Sequence, residues 1–222
     1  MYVRKFEDIL EFLFVDTGLT VRDGEGISQS TRRMQVLNDY NIAYGRRIDL
    51  LVSGDNNEIS SIEFKKRTVS NHVSLYQQSK NMRINSCILS HIHLMTSSTE
   101  DTVLYYDFIG RYGYLCQLFE FKGAYVCQKI QDIPIPKCLL ELDSFRSSLK
   151  NLFAWKEHLV NLSNMISLAN YNQEKQYRLV DICSTISPPR SPSRSITPAN
   201  VYLSPSNANK RTRNIFEHDG EN

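Results

Sequence analysis

The chain has no apolar run near the ~20 residues that a bilayer span requires. Its start, MYVRKFEDIL, lacks the hydrophobic stretch of a secretory signal. Its cysteines do not suit a disulfide framework. The five (Cys87, Cys116, Cys127, Cys138, Cys183) are odd in number and no two stand as CxxC, which also speaks against a structural zinc site of the usual spacing. Buried or free thiols in a reducing compartment are the expectation, and the chain reads as soluble and intracellular. A charge excess is also missing. The 26 cations and 24 anions fall to 21 of each once the five cations and three anions of residues 185–222 are set aside. Bulk charge therefore gives no support for nucleic-acid binding, and any such argument must rest on local clusters. No internal repeat is visible.

What is present is enough apolar sequence for one folded unit. At 222 residues, 41% hydrophobic and 23% charged, the chain fits one domain with appendages. Residues 4–17 carry Phe6, Ile9, Leu10, Phe12, Leu13 and Phe14 at helical spacing, and Gly18, Gly24 and Gly26 end the pattern. Residues 26–40 read as a second helix that Ser28 or Ser30 could cap. Two β-rich runs, NIAYGRRIDLLVS and EISSIEFKKRTV, flank the turn Gly54-Asp55-Asn56-Asn57 and predict a hairpin. Residues 70–84 read as a helix with Asn71 as its cap, CILSHIHLMTSS as a buried strand, and residues 102–130 as two or three further strands. Helical spacing returns from about Leu139 to Asn170. After Thr185 the sequence is rich in Ser, Pro, Asn and Arg and cannot bury enough surface to offset its ordering entropy. The expected organisation is an αβ domain at 1–137, a C-terminal helical extension at 138–184 and a disordered tail at 185–222.

The hairpin carries the chemistry. Alternation along a strand puts Glu63 and Lys65 on one face and Ile62 and Phe64 on the other. If Asp49 of RRIDLLV pairs across from them, two carboxylates and one ammonium converge. Asp49 lies in an apolar stretch, a costly place for a lone carboxylate. Hard oxygen ligands of this kind hold Mg²⁺, which keeps waters and binds phosphate. An ammonium beside them can orient a water and stabilise charge developing on phosphoryl oxygens.

With its helix and strand order, Asp49 followed by Glu63-x-Lys65 resembles the PD-(D/E)xK nuclease superfamily of restriction-endonuclease-like fold. The stretch YGRRIDLLV…EISSIEFKK…QQSKNMRINSCIL also resembles a group of uncharacterised fungal proteins assigned to it. The resemblance covers about residues 20–130. It implies an α/β fold with an αβββαβ core and a mixed central sheet, here with a helical cap and a disordered tail. It further implies metal-dependent hydrolysis of DNA phosphodiesters, with RNA as an alternative substrate. Asp49 and Glu63 match the metal-binding carboxylates and Lys65 the motif's lysine, with Mg²⁺ or Mn²⁺ as cofactor. Members often carry a glutamate on the helix before the hairpin, for which Glu25 is the candidate and Glu11 the runner-up. Some branches place a glutamine on the following helix, as Gln77 or Gln78 would. The chain departs from the pattern at Ile48, where a proline is usual. A binding module that has kept the fold and lost catalysis is the alternative reading.

Lesser signals surround this set. Arg46, Arg47, Lys66 and Arg67 flank the cluster, and Arg32 and Arg33 precede it; such cations suit phosphate contacts. His91 and His93 form HxH and would share a face if they lay on a strand. His72 and Asp107 are minor candidates. Four Ser/Thr-Pro pairs in the tail suit proline-directed phosphorylation. Lys210-Arg211-Thr212-Arg213 is a basic cluster of nuclear-import type, which adds the nucleus as a candidate compartment. No membrane partner is expected, and a homodimer is compatible with the sequence.

Overall fold

The computed structural model describes residues 2–23, 27–37 and 45–183. Glu25, the basic cluster and the tail from residue 184 onward lie outside them. The elements run α1 (Tyr2–Leu13), β1 (Leu19–Asp23), α2 (Gln29–Leu37), β2 (Leu50–Gly54), β3 (Asn57–Lys65), α3 (Asn71–Thr96), β4 (Val103–Ile109), β5 (Tyr112–Phe121), β6 (Ala124–Pro134), a single 3-10 turn, and α4 (Leu142–Cys183). The six strands form one mixed sheet in the order β1-β2-β3-β4-β5-β6. Every neighbouring pair is antiparallel except β3 and β4, which are parallel and joined by α3. A parallel pair needs such a crossover because its strands start at the same end.

The hairpin forms where the sequence put it. Asp55 and Asn56 both adopt positive φ, 48° and 62°, the two-residue turn whose twist matches its strands. β1 was not foreseen. Its five residues pair along the whole of β2, from Leu19 against Gly54 to Asp23 against Leu50.

One predicted element changes character. CILSHIHLMT is the buried half of the 26-residue helix α3 and not a strand. A short apolar run reads the same either way by periodicity. Here Ile84, Ile88 and Ile92 recur four apart, each nearly inaccessible, so packing of a helix over the sheet decides. The cap of α3 is Ser70, whose Oγ accepts from Val73 N, and not Asn71. The C-terminal extension is one helix of 42 residues. Its stripe of Leu152, Trp155, Leu159, Leu162 and Ile166 lies in the same core as the sheet.

The layers differ in content. α1 and α4 cover one face, where Phe6, Phe64, Tyr106, Phe108 and Trp155 form a chain of ring contacts. Phe64 and Phe108 stack with centroids 4.6 Å apart. Gly113 makes room for this: a Cβ there would sit 2.2 Å from the Phe108 ring, so a side chain would displace the aromatic cluster. α3 covers the other face with polar groups, and α2 packs beside it.

Candidate active site

Register explains how the polar face is assembled. β3 and β4 pair only at its end, Glu63 with Asp107, Phe64 with Phe108 and Lys65 with Ile109. Before that point α3 supplies the missing partners. Asn85 accepts from Ser61 N at 2.9 Å and donates to Ser61 O at 3.2 Å. Asn81 donates to Tyr106 O at 3.1 Å. Two side-chain amides thus stand in for strand partners that buried backbone groups require, and they fix α3 against β3 and β4.

Glu63 and Lys65 emerge on that face as alternation requires. Lys65 Nζ lies 3.3 Å from Glu63 Oε2, and both side chains are buried. Lys80 reaches from α3 to the other oxygen, 2.6 Å from Glu63 Oε1, while also donating to Arg47 O at 3.1 Å. Leaving one of these charges unpaired in the interior would be costly, so the three act as a unit. Lys80 was not foreseen. The signal was present in its spacing, because Gln77, Lys80 and Asn81 lie on neighbouring positions of one helical turn.

Asp49 meets the cluster from the side. It lies not within the strand, as expected, but at the bend just before β2. Its Oδ2 accepts from Phe64 N at 2.7 Å, the amide between Glu63 and Lys65. Because Leu50 pairs with Ile62, Asp49 stands one step further along, across from Glu63. The carboxylate closes the ladder that Ile48 would otherwise continue, which accounts for a half-buried acid in an apolar stretch.

Asp107 is the acid the sequence ranked too low. It is almost inaccessible, lies directly beside Glu63 in register, and its Oδ1 has no hydrogen-bond partner. Burial pushes its carboxyl up to about 7; the Lys65 ammonium opposes the rise and Glu63 adds to it. Nothing in the spacing shows this, since the alignment of Asp107 with Glu63 is set by a crossover of the length of α3.

The remaining candidates fall in several places. Arg47, Lys66 and Arg67 are exposed and Arg46 half-buried. All four precede β2 or follow β3, so they rim the end of the sheet that holds Asp49, Glu63 and Lys65. Gln77 has a buried carbonyl oxygen without a partner, whereas Gln78 donates to the Tyr114 hydroxyl. Glu11 is exposed on α1, which covers the opposite face of the sheet. Glu7 of α1 has its carboxyl raised by burial, with Asp23 next and then Glu11 and Asp8 contributing.

HxH does not form a metal pair, because on a helix residues two apart point away from each other. His91 contacts Arg33 of α2, and burial with that guanidinium lowers its pKa to about 4. His93 Nδ1 lies 3.3 Å from Glu120 and Nε2 lies 3.2 Å from Asp101 O. Arg32, Arg33 and His91 instead line a separate cavity of about 490 Å³ between α2, α3 and Gln173 of α4, whose walls include Met34, Leu94 and Met95.

A second buried glutamate on β3 has a different task. Glu58 accepts from Gln29 N at 2.6 Å, from Ser30 N at 2.9 Å and from Ser28 Oγ at 2.8 Å. Ser28 in turn caps α2 through Thr31 N at 3.1 Å. An anion at the positive end of a helix is stabilised there, so Glu58 anchors α2 and has few lone pairs left for a ligand.

Among the described residues no three His, Cys, Asp or Glu side chains converge as a ready-made metal group, and no helix is long and apolar enough to cross a membrane. Comparison of the chain with protein-family models, with curated proteins and with solved structures yields no match.

Proposed function

We propose that the polar end of β3 is the centre of a metal-dependent nuclease that hydrolyses DNA phosphodiester bonds, built on a restriction-endonuclease-like core. One observation carries this reading: Glu63 and Lys65 are buried together on one face while Asp49 reaches the peptide between them. The order α1-β1-β2-β3-α3-β4, with β3 and β4 parallel across α3, supports membership in the PD-(D/E)xK superfamily, with α2 as an insertion between β1 and β2.

The acids present fit a hard divalent cation. Mg²⁺ is commonly held by one or two carboxylates with water and substrate phosphate completing its shell. Asp49 keeps one oxygen beyond its bond to Phe64 N, and Glu63 is bound on one side only by Lys80, a lysine 29% exposed that can swing aside. Asp49 and Glu63 would hold Mg²⁺ or Mn²⁺, which when bound polarises a phosphoryl oxygen and makes water nucleophilic near neutral pH. Lys65, fixed on Glu63, would orient the attacking water and stabilise charge on the phosphoryl oxygens. Arg46, Arg47, Lys66 and Arg67 would seat the backbone phosphates of DNA, or of RNA, without reading sequence, and Gln77 would offer its carbonyl to the substrate.

A second reading has its own support. Both Glu63 oxygens are engaged by ammonium groups, a state that also suits a nucleic-acid- or protein-binding module without catalysis. A panel of DNA and RNA substrates incubated with Mg²⁺, Mn²⁺ or EDTA separates the two. Cleavage that EDTA abolishes supports the enzyme, whereas binding without cleavage under every condition leaves the module.

A further inference from the structure

The face that α3 covers also carries two thiols, on β5 and β6. Register sets Cys116 against Lys129 and Leu118 against Cys127, with an irregularity at Leu115/Cys116. The two cysteines are therefore diagonal neighbours on adjacent strands, with Cα atoms about 7–8 Å apart in a regular ladder. The Tyr105 hydroxyl, from β4, lies 3.1 Å from Cys127 Sγ. Cys116 is buried and Cys127 half-buried, on the strand that forms the edge of the sheet.

The two thiols are not equivalent. Cys127 receives hydrogen bonds from Cys116 and from Tyr105, which together lower its pKa to about 6 against the opposing effect of burial. Its bond to Cys127 and its burial push the Cys116 thiol up, and burial pushes the Tyr105 hydroxyl up. Of the two thiols, Cys127 is the one whose thiolate its neighbours favour. The thiolate is the reactive form of cysteine, and here it is also the more exposed of the pair.

We propose that Cys127 and Cys116 are an attacking and resolving pair that forms a reversible disulfide between β6 and β5 when the protein meets a low-molecular-weight disulfide of the glutathione class. The Cys127 thiolate attacks one sulfur of glutathione disulfide, forming a mixed disulfide and releasing one glutathione thiolate. Cys116 then loses its proton to solvent or to that thiolate and attacks Cys127 Sγ. The protein disulfide forms and the second glutathione leaves. Two protein thiols are oxidised and one glutathione disulfide is reduced to two glutathiones. A diagonal separation of about 7–8 Å exceeds the usual Cα distance of a disulfide, so bond closure requires the edge strand to shift, and a bond made under strain is readily reduced again. The pair lies beside Tyr105, two residues along β4 from Asp107, so its state is set next to the acid cluster.

The full-length chain should be incubated with glutathione disulfide near pH 7, its remaining thiols blocked with N-ethylmaleimide, and its peptides mapped by mass spectrometry. The expected result is a Cys116–Cys127 cross-link, lost on treatment with dithiothreitol. Cys116→Ser should stop at a mixed disulfide between Cys127 and glutathione. Cys127→Ser should leave Cys116 unmodified. Tyr105→Phe, which removes one donor and keeps the ring, should slow the first step several-fold near pH 6.5, an effect that shrinks at higher pH as the thiolate fraction recovers. The proposal is overturned if the wild type yields no such cross-link while the exposed Cys138 is modified, or if Cys116 reacts with glutathione disulfide as fast in Cys127→Ser as Cys127 does in the wild type.

Discussion

The two faces of β3 and β4 use alternate residues of the same strands for opposite purposes. Ile62, Phe64, Tyr106 and Phe108 face α1 and α4 and form a dry aromatic layer around Trp155. Ser61, Glu63, Lys65, Tyr105 and Asp107 face α3 and form a buried polar layer held by Asn81, Asn85 and Lys80. One face gains by removing apolar area from water. The other holds charges where they are strong because water is scarce. A fold can keep so many polar groups beneath a helix only when the opposite face stabilises the sheet independently.

That division predicts the largest effect. Trp155→Ala should cost about 3–5 kcal/mol, because it deletes a ring packed on Phe14 and Tyr106 and an indole N–H bonded to Leu104 O. Chemical denaturation should show it as a large fall in midpoint; a loss below about 1 kcal/mol would mean that the aromatic face does not carry the stability.

The polar face should respond to pH instead. Asp107 titrates at about 7 in the fold, well above its unfolded value of about 3.9. The folded state therefore holds a proton that the unfolded state has released. The contribution to stability is full below about pH 4 and is lost as pH rises through 7. Asp107→Asn, which mimics the protonated acid, should be close to wild type in melting temperature at low pH. It should exceed wild type by up to a few kcal/mol near pH 8. Equal melting curves at both pH values would place Asp107 in a far more solvated setting than its burial indicates.

Much of the comparison was legible in the sequence, for physical reasons. The hairpin was, because Asp-Asn tolerates positive φ and Glu63 and Lys65 alternate with Ile62 and Phe64. The parallel alignment of Asp107 with Glu63 was not, because it depends on a crossover whose length α3 sets. Nor was α3 itself past residue 84, since an apolar run gives no period to distinguish helix from strand. Glu58 and Glu63 sit five residues apart in one strand and look alike on paper. A bulge beside Val52 and Ser53 and the position of the α2 N-terminus make one an anchor and leave the other to two lysines.

Substituting the anchor sharpens that contrast. Glu58→Gln should cost about 1–3 kcal/mol by weakening three hydrogen bonds at the start of α2, while the folded fraction keeps any catalytic activity. Loss of activity without loss of stability would move Glu58 into the reactive set. The smallest effect belongs to the helix that covers the polar face. Ser70→Ala should lower stability by about 0.5–1 kcal/mol through its lost cap on α3, measurable as a small shift of the denaturation midpoint.

The central claim is tested most directly by Mn²⁺-dependent cleavage of single- and double-stranded DNA by the wild type, Glu63→Gln and Lys65→Met, each first shown to be folded by circular dichroism. The wild type should cleave, and EDTA should abolish the cleavage. Each variant should fall by about 100-fold or more, corresponding to the loss of roughly 2.7 kcal/mol of transition-state stabilisation. Undiminished cleavage in a folded Glu63→Gln variant, or no cleavage of either DNA form by the wild type with Mn²⁺, would contradict the nuclease reading.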